Sequence, residues 1–219
     1  MANVFIIGAT GGIGSRLGAQ LAARGDHPAG LHRQLDQART LSNLGIRPVA
    51  GDLTSMSAQE LAAQCAGIDA VVFAAGASDA GSSATDAVDG RGLVLAARAA
   101  ELAGVRRFLH ISAFPDAWRD QRMPPDFEHY MKVKRLADVH LAATKLDWVI
   151  VRPGTLSNRP GSGRVRAGLA IPYGDVARDD VASVLAELVH TPEIKRVILE
   201  LTGGDIPIRA ALLAGSGAE

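Results

Sequence analysis

The sequence predicts an α/β protein, a doubly wound parallel sheet with helices on both faces. The first supporting observation is the start of the chain, where an apolar run at residues 4–7 passes into glycines spaced three apart and then into apolar residues at helical spacing. The second is that the same alternation of strand and helix continues along the chain. Right-handed crossovers between parallel strands place helices on both faces of such a sheet.

The opening turn is Gly8-Ala9-Thr10-Gly11-Gly12-Ile13-Gly14. Gly8 allows a sharp turn, and the missing side chains at Gly11 and Gly14 allow a phosphate or the strand to approach closely. The following helix presents unpaired N–H groups and a partial positive charge at its N-terminus. The pattern therefore predicts a site for a dinucleotide pyrophosphate, and the alternative is a tight turn that binds nothing.

The other elements are predicted in order from apolar periodicity and from turn residues. Strands are expected at residues 29–33, 47–52, 69–76, 106–112, 147–151 and 197–201. Helices are expected at residues 34–44, 57–66, 85–103 and 127–144, and from Asp179 or Asp180 to about His190. Ser57 with Glu60 three residues later indicates a capping box, and Gly104 indicates a helix C-terminus.

Two segments lack a periodic pattern. Residues 155–177 are rich in Gly, Pro, Arg and Ser and are expected to form a long irregular loop on the substrate side. Residues 212–219 are expected to be loose. No linker precedes that tail, so residues 1–219 are expected to form a single Rossmann-type NAD(P)-binding domain with a small C-terminal substrate-side segment.

Composition excludes several functional classes. The 219 residues are 47% hydrophobic and 21% charged, and 23 basic side chains balance 23 acidic ones. A zero net charge argues against nucleic acid or an anionic membrane as a partner, and a small-molecule substrate is expected instead. No run approaches the roughly 20 apolar residues of a membrane span, and the start lacks the features of a signal peptide, so a cytoplasmic location is expected.

Cysteine chemistry and metal binding are not indicated. The single cysteine, Cys65, lies in a helical apolar pattern and is expected to be a packed thiol. The six histidines are scattered and show no metal-ligand spacing, so no metal site is predicted.

Ligands of a doubly wound sheet bind at the carboxyl ends of its strands. The residues expected at those ends are Gly8, Arg33, Asp52, Gly76, Ser112 and Arg152-Pro153-Gly154.

With these positions in hand, the chain resembles the short-chain dehydrogenases/reductases of the atypical NAD(P)H-binding group, the relatives of NmrA-like and biliverdin-IX-beta-reductase-like proteins. Eight stretches in the family's order carry the resemblance: the glycine turn 8–14, Gly51-Asp52-Leu53-Thr54, Phe73-Ala74-Ala75-Gly76, Val88-Asp89 with Gly92, Gly104-Val105-Arg106-Arg107-Phe108, Tyr130-Met131-Lys132-Val133-Lys134, Val151-Arg152-Pro153-Gly154 and Asp180-Val181-Ala182.

The resemblance implies a set of cofactor-binding residues. The turn would hold the pyrophosphate, Asp52 would lie beside the adenine, and the stretch after the fourth strand would run along the cofactor. Asp52 has an alternative interpretation as an ordinary turn residue at a strand end. The implied residues are Gly8, Thr10, Gly11, Gly12, Ile13, Gly14, Asp52, Leu53, Ala74, Ala75, Gly76, Lys134 and Pro153.

Charge at the end of the second strand predicts NADP(H) in preference to NAD(H). An NAD site usually has a carboxylate there for the ribose 2′-hydroxyl, whereas this chain has His32-Arg33. A guanidinium suits a 2′-phosphate. Arg33 could instead be a solvated surface charge, and Arg16 is a weaker second candidate.

Ser112, Tyr130 and Lys134 are the candidate catalytic residues. Tyr130 and Lys134 are four apart and share a helical face, so the ammonium can lower the phenol pKa from its usual value of about 10. Tyr130 would exchange a proton with the substrate oxygen that Ser112 orients. Alternatively, Tyr130 and Lys134 have only a packing role or form a solvated pair without a catalytic function. Lys132, Arg135 and Asp89, which replaces the family's frequent Asn, are departures from the family pattern.

The sequence therefore favours an NADPH-dependent oxidoreductase that reduces a carbonyl or similar small acceptor. One alternative is an NADP(H)-binding redox sensor or scaffold without catalysis. Another is a flavin or quinone reductase with direct hydride transfer, which would not need Tyr130. The arginines at 159, 164 and 166 would meet an acidic substrate or would be solvated, and the sequence names no substrate.

Overall fold

The computed structural model describes residues 1–77, 81–119 and 121–217. Its strands, in chain order, are β1 Asn3–Ile7, β2 His27–His32, β3 Arg47–Ala50, β4 Ala70–Phe73, β5 Arg107–Ile111, β6 Asp147–Pro153, β7 Thr155–Ser157, β8 Arg164–Gly168, β9 Asp175–Ala177, β10 Val197–Gly203 and β11 Ile206–Pro207. Its α-helices are α1 Gly14–Ala23, α2 Leu35–Asn43, α3 Ala58–Gln64, α4 Ser82–Thr85, α5 Leu93–Ala103, α6 Pro125–Ala142, α7 Arg178–Val189 and α8 Ile208–Ser216.

Within the described residues the main sheet has nine strands in the order β11-β8-β10-β6-β5-β4-β1-β2-β3. The seven strands from β10 to β3 run parallel, whereas β8 is antiparallel to both of its neighbours, β10 and β11. The strand order reverses between β1 and β4, and this reversal opens a crevice at the carboxyl ends. The predicted doubly wound Rossmann-type sheet is confirmed.

The alternating side chains of the central strands build two cores, one on each face of the sheet. Val4 and Ile6 of β1 face the layer formed by α1, α2, α7 and α8. Phe5 and Ile7 face the layer formed by α3, α5 and α6. All four side chains are at most 1% exposed, as expected for a strand buried on both sides.

Several local signals in the sequence act as predicted. Glu60 N–H donates to the Ser57 hydroxyl, while Ser57 N–H donates to the Glu60 carboxylate at 2.8 Å, which completes the capping box of α3. Gly104 ends α5 in the left-handed conformation, with φ +74°. Cys65 is buried, and burial raises the pKa of its thiol to about 11, as fits a packed thiol.

The prediction that residues 155–177 are irregular is wrong. Three strands form there, because β7 and β9 pair into a small parallel sheet and β8 joins the main sheet beside β10. In β8, Val165 is buried while Arg164 and Arg166 on either side of it are exposed. This alternation is typical of a strand, but it is short and lies in a segment whose Gly, Pro, Arg and Ser content is typical of a loop.

The predicted N-cap of α7 is also wrong. The helix begins at Arg178 after Ala177. The Asp180 carboxylate instead accepts hydrogen bonds from the backbone N–H groups of Ser162 and Gly163, at 3.0 and 2.8 Å. Asp179 pairs with Arg16 at 2.8 Å. Both carboxylates therefore hold other segments against α7.

The tail is more ordered than predicted, since α8 extends to Ser216 and Leu212 is buried. Residues 218 and 219 of the predicted loose tail lie outside the described residues. The predicted helix at 85–103 is also interrupted, because a π-helical segment, Asp86–Gly92, separates α4 from α5. Among the described residues, no helix has the length and apolar character needed to cross a bilayer.

Candidate functional site

The glycine turn lies at the carboxyl end of β1, where the strand order reverses. Gly8 has φ +93°, and a Cβ at this position would lie 2.6 Å from the carbonyl carbon of Ala74. A Cβ at Gly14 would lie 2.8 Å from the carbonyl carbon of Gly8. These two glycines are therefore required by the close approach of backbone to backbone.

The rim of the same turn faces solvent. Thr10, Gly11 and Gly12 are exposed, whereas Ile13 is buried and Gly14 begins α1. The Gly11 N–H donates to the Gly8 carbonyl at 3.0 Å, which closes the turn. An exposed backbone with no side chain at Gly11 or Gly12, beside the N-terminus of a helix, fits a pyrophosphate.

The backbone after β4 forms the opposite wall of the crevice. Ala74 N–H donates to the Ile7 carbonyl at 2.8 Å, and Ala74 and Ala75 lie against Gly8. Ala77 N–H donates to Asp89 Oδ2 at 2.9 Å. Gly76 is exposed, and a Cβ there would lie 3.3 Å from Asp89 Oδ1. Asp89 thus fixes the stretch that the family resemblance predicts to lie along the cofactor.

Arg33 and Asp52 come together at the ends of β2 and β3. Hydrogen bonds from the Thr54 N–H at 2.9 Å and from the Thr54 hydroxyl at 2.7 Å hold the pKa of the Asp52 carboxyl below its ordinary value, and the charge of Arg33 lowers it further. The Arg33 side chain is exposed. Leu53 is buried and packs against Gly92.

Lys134 is placed at the carboxyl end of β5. Its side chain is about 5% exposed, and its ammonium donates to the Ile111 carbonyl at 2.7 Å and to Asp89 Oδ1 at 3.3 Å. Tyr130 lies one turn earlier on α6 and is half-buried, with its ring 6.3 Å from that of Phe127. The structure therefore keeps the predicted pair on one helix and anchors the lysine.

Ser112 does not present its hydroxyl to solvent. The residue is 4% exposed, and its N–H donates to the Val151 carbonyl at 2.8 Å. The Oγ lies beside the Asp138 carboxylate, whose pKa is raised by burial against the opposing effects of Ser112 and of Arg152, which is 2.8 Å away.

His110 belongs to the same buried cluster as Asp138. Its Nε2 lies 3.5 Å from Asp138 Oδ1. Burial lowers the pKa of this histidine well below its ordinary value, and the charges of Lys134 and Arg152 act in the same direction. His110, Asp138 and Arg152 therefore form a buried cluster whose electrostatics include the charge of Lys134.

The end of β6 packs against the segment that was predicted to be irregular. Pro153 is the last residue of β6, and the next residue, Gly154, leaves no room for a Cβ beside the Gly174 carbonyl. The Thr155 and Tyr173 hydroxyls are hydrogen-bonded, and the Tyr173 ring packs edge-on against Phe114 with 5.3 Å between centroids. Tyr173 was not among the site residues predicted from the sequence.

Two further residues near the site were absent from the predicted set. Asp89 contacts both Lys134 and Ala77. The sequence feature that could have identified it is the replacement, by Asp, of the Asn that the resembling family often has at this position. Arg178 lies over Gly12, and no pattern in the sequence marked it, because its position depends on where α7 packs.

Comparison with known proteins gives consistent matches. Residues 8–192 match a family model described as NAD(P)H-binding. A Bacillus subtilis protein named uncharacterized sugar epimerase YhfK is 35% identical, over 96% of this chain and 98% of its own. A solved structure from Bacillus halodurans, provisionally named an NAD-dependent epimerase/dehydratase, is 32% identical with TM-score 0.89, covering 98% of this chain and 100% of its own. The oxidoreductase ylbE from Lactococcus lactis is 26% identical with TM-score 0.84, covering 97% and 95%.

Proposed function

The chain belongs to the NAD(P)H-binding family, and we propose that it is an NADPH-dependent oxidoreductase that reduces a carbonyl or similar small acceptor. The observation that carries the proposal is the buried ammonium of Lys134, held by Asp89 and the Ile111 carbonyl one helical turn from Tyr130. Buried charges are expected to be paired, and the pairing with Asp89 together with the Ile111 carbonyl fixes the ammonium at the carboxyl end of β5.

The proposed chemistry divides the work between cofactor and side chains. The nicotinamide supplies the hydride when bound. Tyr130 donates the proton to the acceptor oxygen, and Lys134 lies one helical turn from it on α6. Lys134 also contacts the nicotinamide ribose in this proposal. The glycine turn binds the pyrophosphate, and the Ala74–Gly76 backbone lies along the dinucleotide.

Cofactor preference is proposed from the adenosine end. The exposed guanidinium of Arg33 is available to a 2′-phosphate, while the Asp52 carboxylate beside it is engaged by Thr54. A guanidinium forms charge-assisted hydrogen bonds with phosphate, so NADPH binds more tightly than NADH in this proposal.

The position of Ser112 favours one alternative. A hydroxyl that is buried beside Asp138 does not orient a substrate oxygen without a side-chain rotation. Direct hydride transfer to a flavin or quinone requires neither Ser112 nor Tyr130. This alternative differs from the main proposal in its dependence on the Tyr130 hydroxyl.

The experiment is a screen of aldehydes, ketones, quinones and flavins with NADPH consumption as the readout and NADPH binding measured in parallel. Net consumption with a carbonyl acceptor supports the proposal. Consumption with flavins or quinones alone supports direct transfer, and tight binding without turnover supports a sensor or scaffold. Net consumption also separates a reductase from an epimerase, the activity in the name of the B. subtilis relative, because epimerisation returns the hydride to the substrate.

A further inference from the structure

Arg178, the first residue of α7, lies over the glycine turn at the other end of the chain. A Cβ at Gly12 would lie 3.1 Å from Arg178 Cδ and 3.2 Å from its Nε. The side chain therefore covers the one face of Gly12 that a larger residue would occupy. Packing of α1 against α7 brings the two segments together.

The charge of Arg178 is not neutralised by a carboxylate. Its Nη1 donates to the Leu156 carbonyl at 3.3 Å and to Asn158 Oδ1 at 3.0 Å, both neutral acceptors. Among the described residues, no Asp or Glu forms an ion pair with it. These contacts use one nitrogen of the guanidinium and leave the donors of the other nitrogens for a ligand.

Arg16 provides the contrast at the same turn. Its Nη1 donates to the Gly12 carbonyl at 2.6 Å, and its Nε forms an ion pair with Asp179 at 2.8 Å. Arg16 is thus balanced by an acid and is turned toward a backbone acceptor. Of the two arginines beside Gly12, only Arg178 combines an uncompensated charge with free donors.

A dinucleotide pyrophosphate carries two negative charges, whereas the backbone N–H groups of the turn are neutral donors. Guanidinium binds phosphate through charge-assisted, often bidentate hydrogen bonds. We propose that Arg178 binds the pyrophosphate of the nicotinamide dinucleotide and completes the glycine turn from the C-terminal part of the chain. This inference rests on dinucleotide binding, and it does not depend on the reductase step of the proposed function.

Binding of NADPH and NADH to Arg178→Met, measured by calorimetry, tests the inference. Met keeps much of the aliphatic length but removes the charge and the donors. Because the pyrophosphate is common to both nucleotides, both dissociation constants are expected to rise by the same factor, about 10- to 100-fold, the scale of a lost charge-assisted contact. Arg98→Met removes an exposed arginine on α5 that pairs with Glu101, and it is expected to leave both constants unchanged.

Arg178→Lys keeps the charge without the planar fork and is expected to weaken both nucleotides less than Met does. Thermal melting of the ligand-free proteins shows whether each variant is folded, and if Met abolishes folding, the lysine variant gives the result. Unchanged affinities in the folded variants would overturn the inference, as would a loss confined to NADPH, which would move Arg178 to the 2′-phosphate. Wild-type protein that binds both nucleotides but reduces no acceptor contradicts the reductase proposal alone.

Discussion

Lys134 Nζ lies 3.3 Å from Asp89 Oδ1 in the interior of the protein, where the two side chains are about 5% and 1% exposed. The same carboxylate accepts a hydrogen bond from Ala77 N–H at 2.9 Å. One acidic side chain therefore holds both the proposed catalytic lysine and the backbone that follows β4. Its position in the π-helical segment directs it into this space, a use that π-helical turns often have at functional sites.

Asp89→Asn is expected to destabilise the protein. Removing one partner of a buried ion pair costs roughly 3–5 kcal/mol, and asparagine, which keeps an acceptor, is expected to cost somewhat less. Glu101→Gln, in the exposed pair with Arg98, is the control and is expected to cost under about 1 kcal/mol. Urea unfolding measures both. Equal losses of unfolding free energy in the two variants would show that the buried Lys134–Asp89 contact contributes no more to stability than the exposed pair does.

Arg33→Ala is expected to narrow the difference between NADPH and NADH affinity by about 1.5–3 kcal/mol, because the 2′-phosphate loses a charge-assisted hydrogen bond. Affinity for NADH should change little. Arg47→Ala is a suitable control, since Arg47 is an exposed arginine at the opposite end of the neighbouring strand. Calorimetric titration of both nucleotides measures the difference. Equal affinities in the wild type would contradict the preference.

Gly14→Val is expected to abolish dinucleotide binding. The added side chain would meet the Gly8 and Ala9 backbone, where even a Cβ would lie 2.8 to 2.9 Å from carbon atoms, so the N-terminus of α1 must shift. Gly174→Ala is the control for the fold, because the nearest atom to its Cβ would be Thr202 Cγ2, at 3.7 Å. Nucleotide binding and far-UV circular dichroism are measured together. A folded Gly14→Val protein with full affinity would refute the assignment of the turn.

Much of the fold follows from local pattern. The apolar run into Gly8 and the capping residues Ser57 and Gly104 specify their elements through nearby interactions, so sequence alone identifies them. The strands after Gly154 could not be predicted from local pattern, because they form by pairing with strands that are distant in the sequence. Asp180, for example, resembles a helix cap but binds the backbone of Ser162 and Gly163.

The candidate site divides in the same way. Spacing on one helix predicted that Tyr130 and Lys134 share a face, but it gave no information on the buried partner at Asp89. Ser112 was placed correctly at the end of β5, whereas the direction of its hydroxyl depends on Asp138 and Arg152, which come from α6 and β6. Arg178 reaches Gly12 only through the packing of α7 on α1. Contacts between elements determine these features.

Acid stability is expected to depend on Asp26. Burial alone would raise the pKa of this carboxyl, but the His190 ring at 2.8 Å and the Ala2 N–H more than offset that effect, and the pKa is lowered below its ordinary value of 3.8. A carboxyl whose pKa is lower in the folded than in the unfolded state stabilises the folded protein at pH values above its unfolded-state pKa. This stabilisation is lost as the pH falls through the folded-state pKa.

Asp26→Asn tests this dependence. At neutral pH the wild type is expected to be about 1–3 kcal/mol more stable, because the variant loses hydrogen bonds to a charged group. That advantage should shrink as the pH falls from about 4 toward 2. Urea unfolding at a series of pH values measures it, and a constant difference between the two proteins over this range would exclude the predicted role of Asp26.

The most direct test of the proposed chemistry is a single-turnover measurement of NADPH oxidation by wild-type protein and by Tyr130→Phe, with the acceptor found in the screen. Phenylalanine keeps the ring and removes the transferable proton. NADPH affinity is expected to stay within about twofold, while the rate of hydride transfer is expected to fall by roughly 100-fold or more, the scale of a lost general acid. A Tyr130→Phe protein that reduces a carbonyl acceptor at the wild-type rate would contradict the proposal.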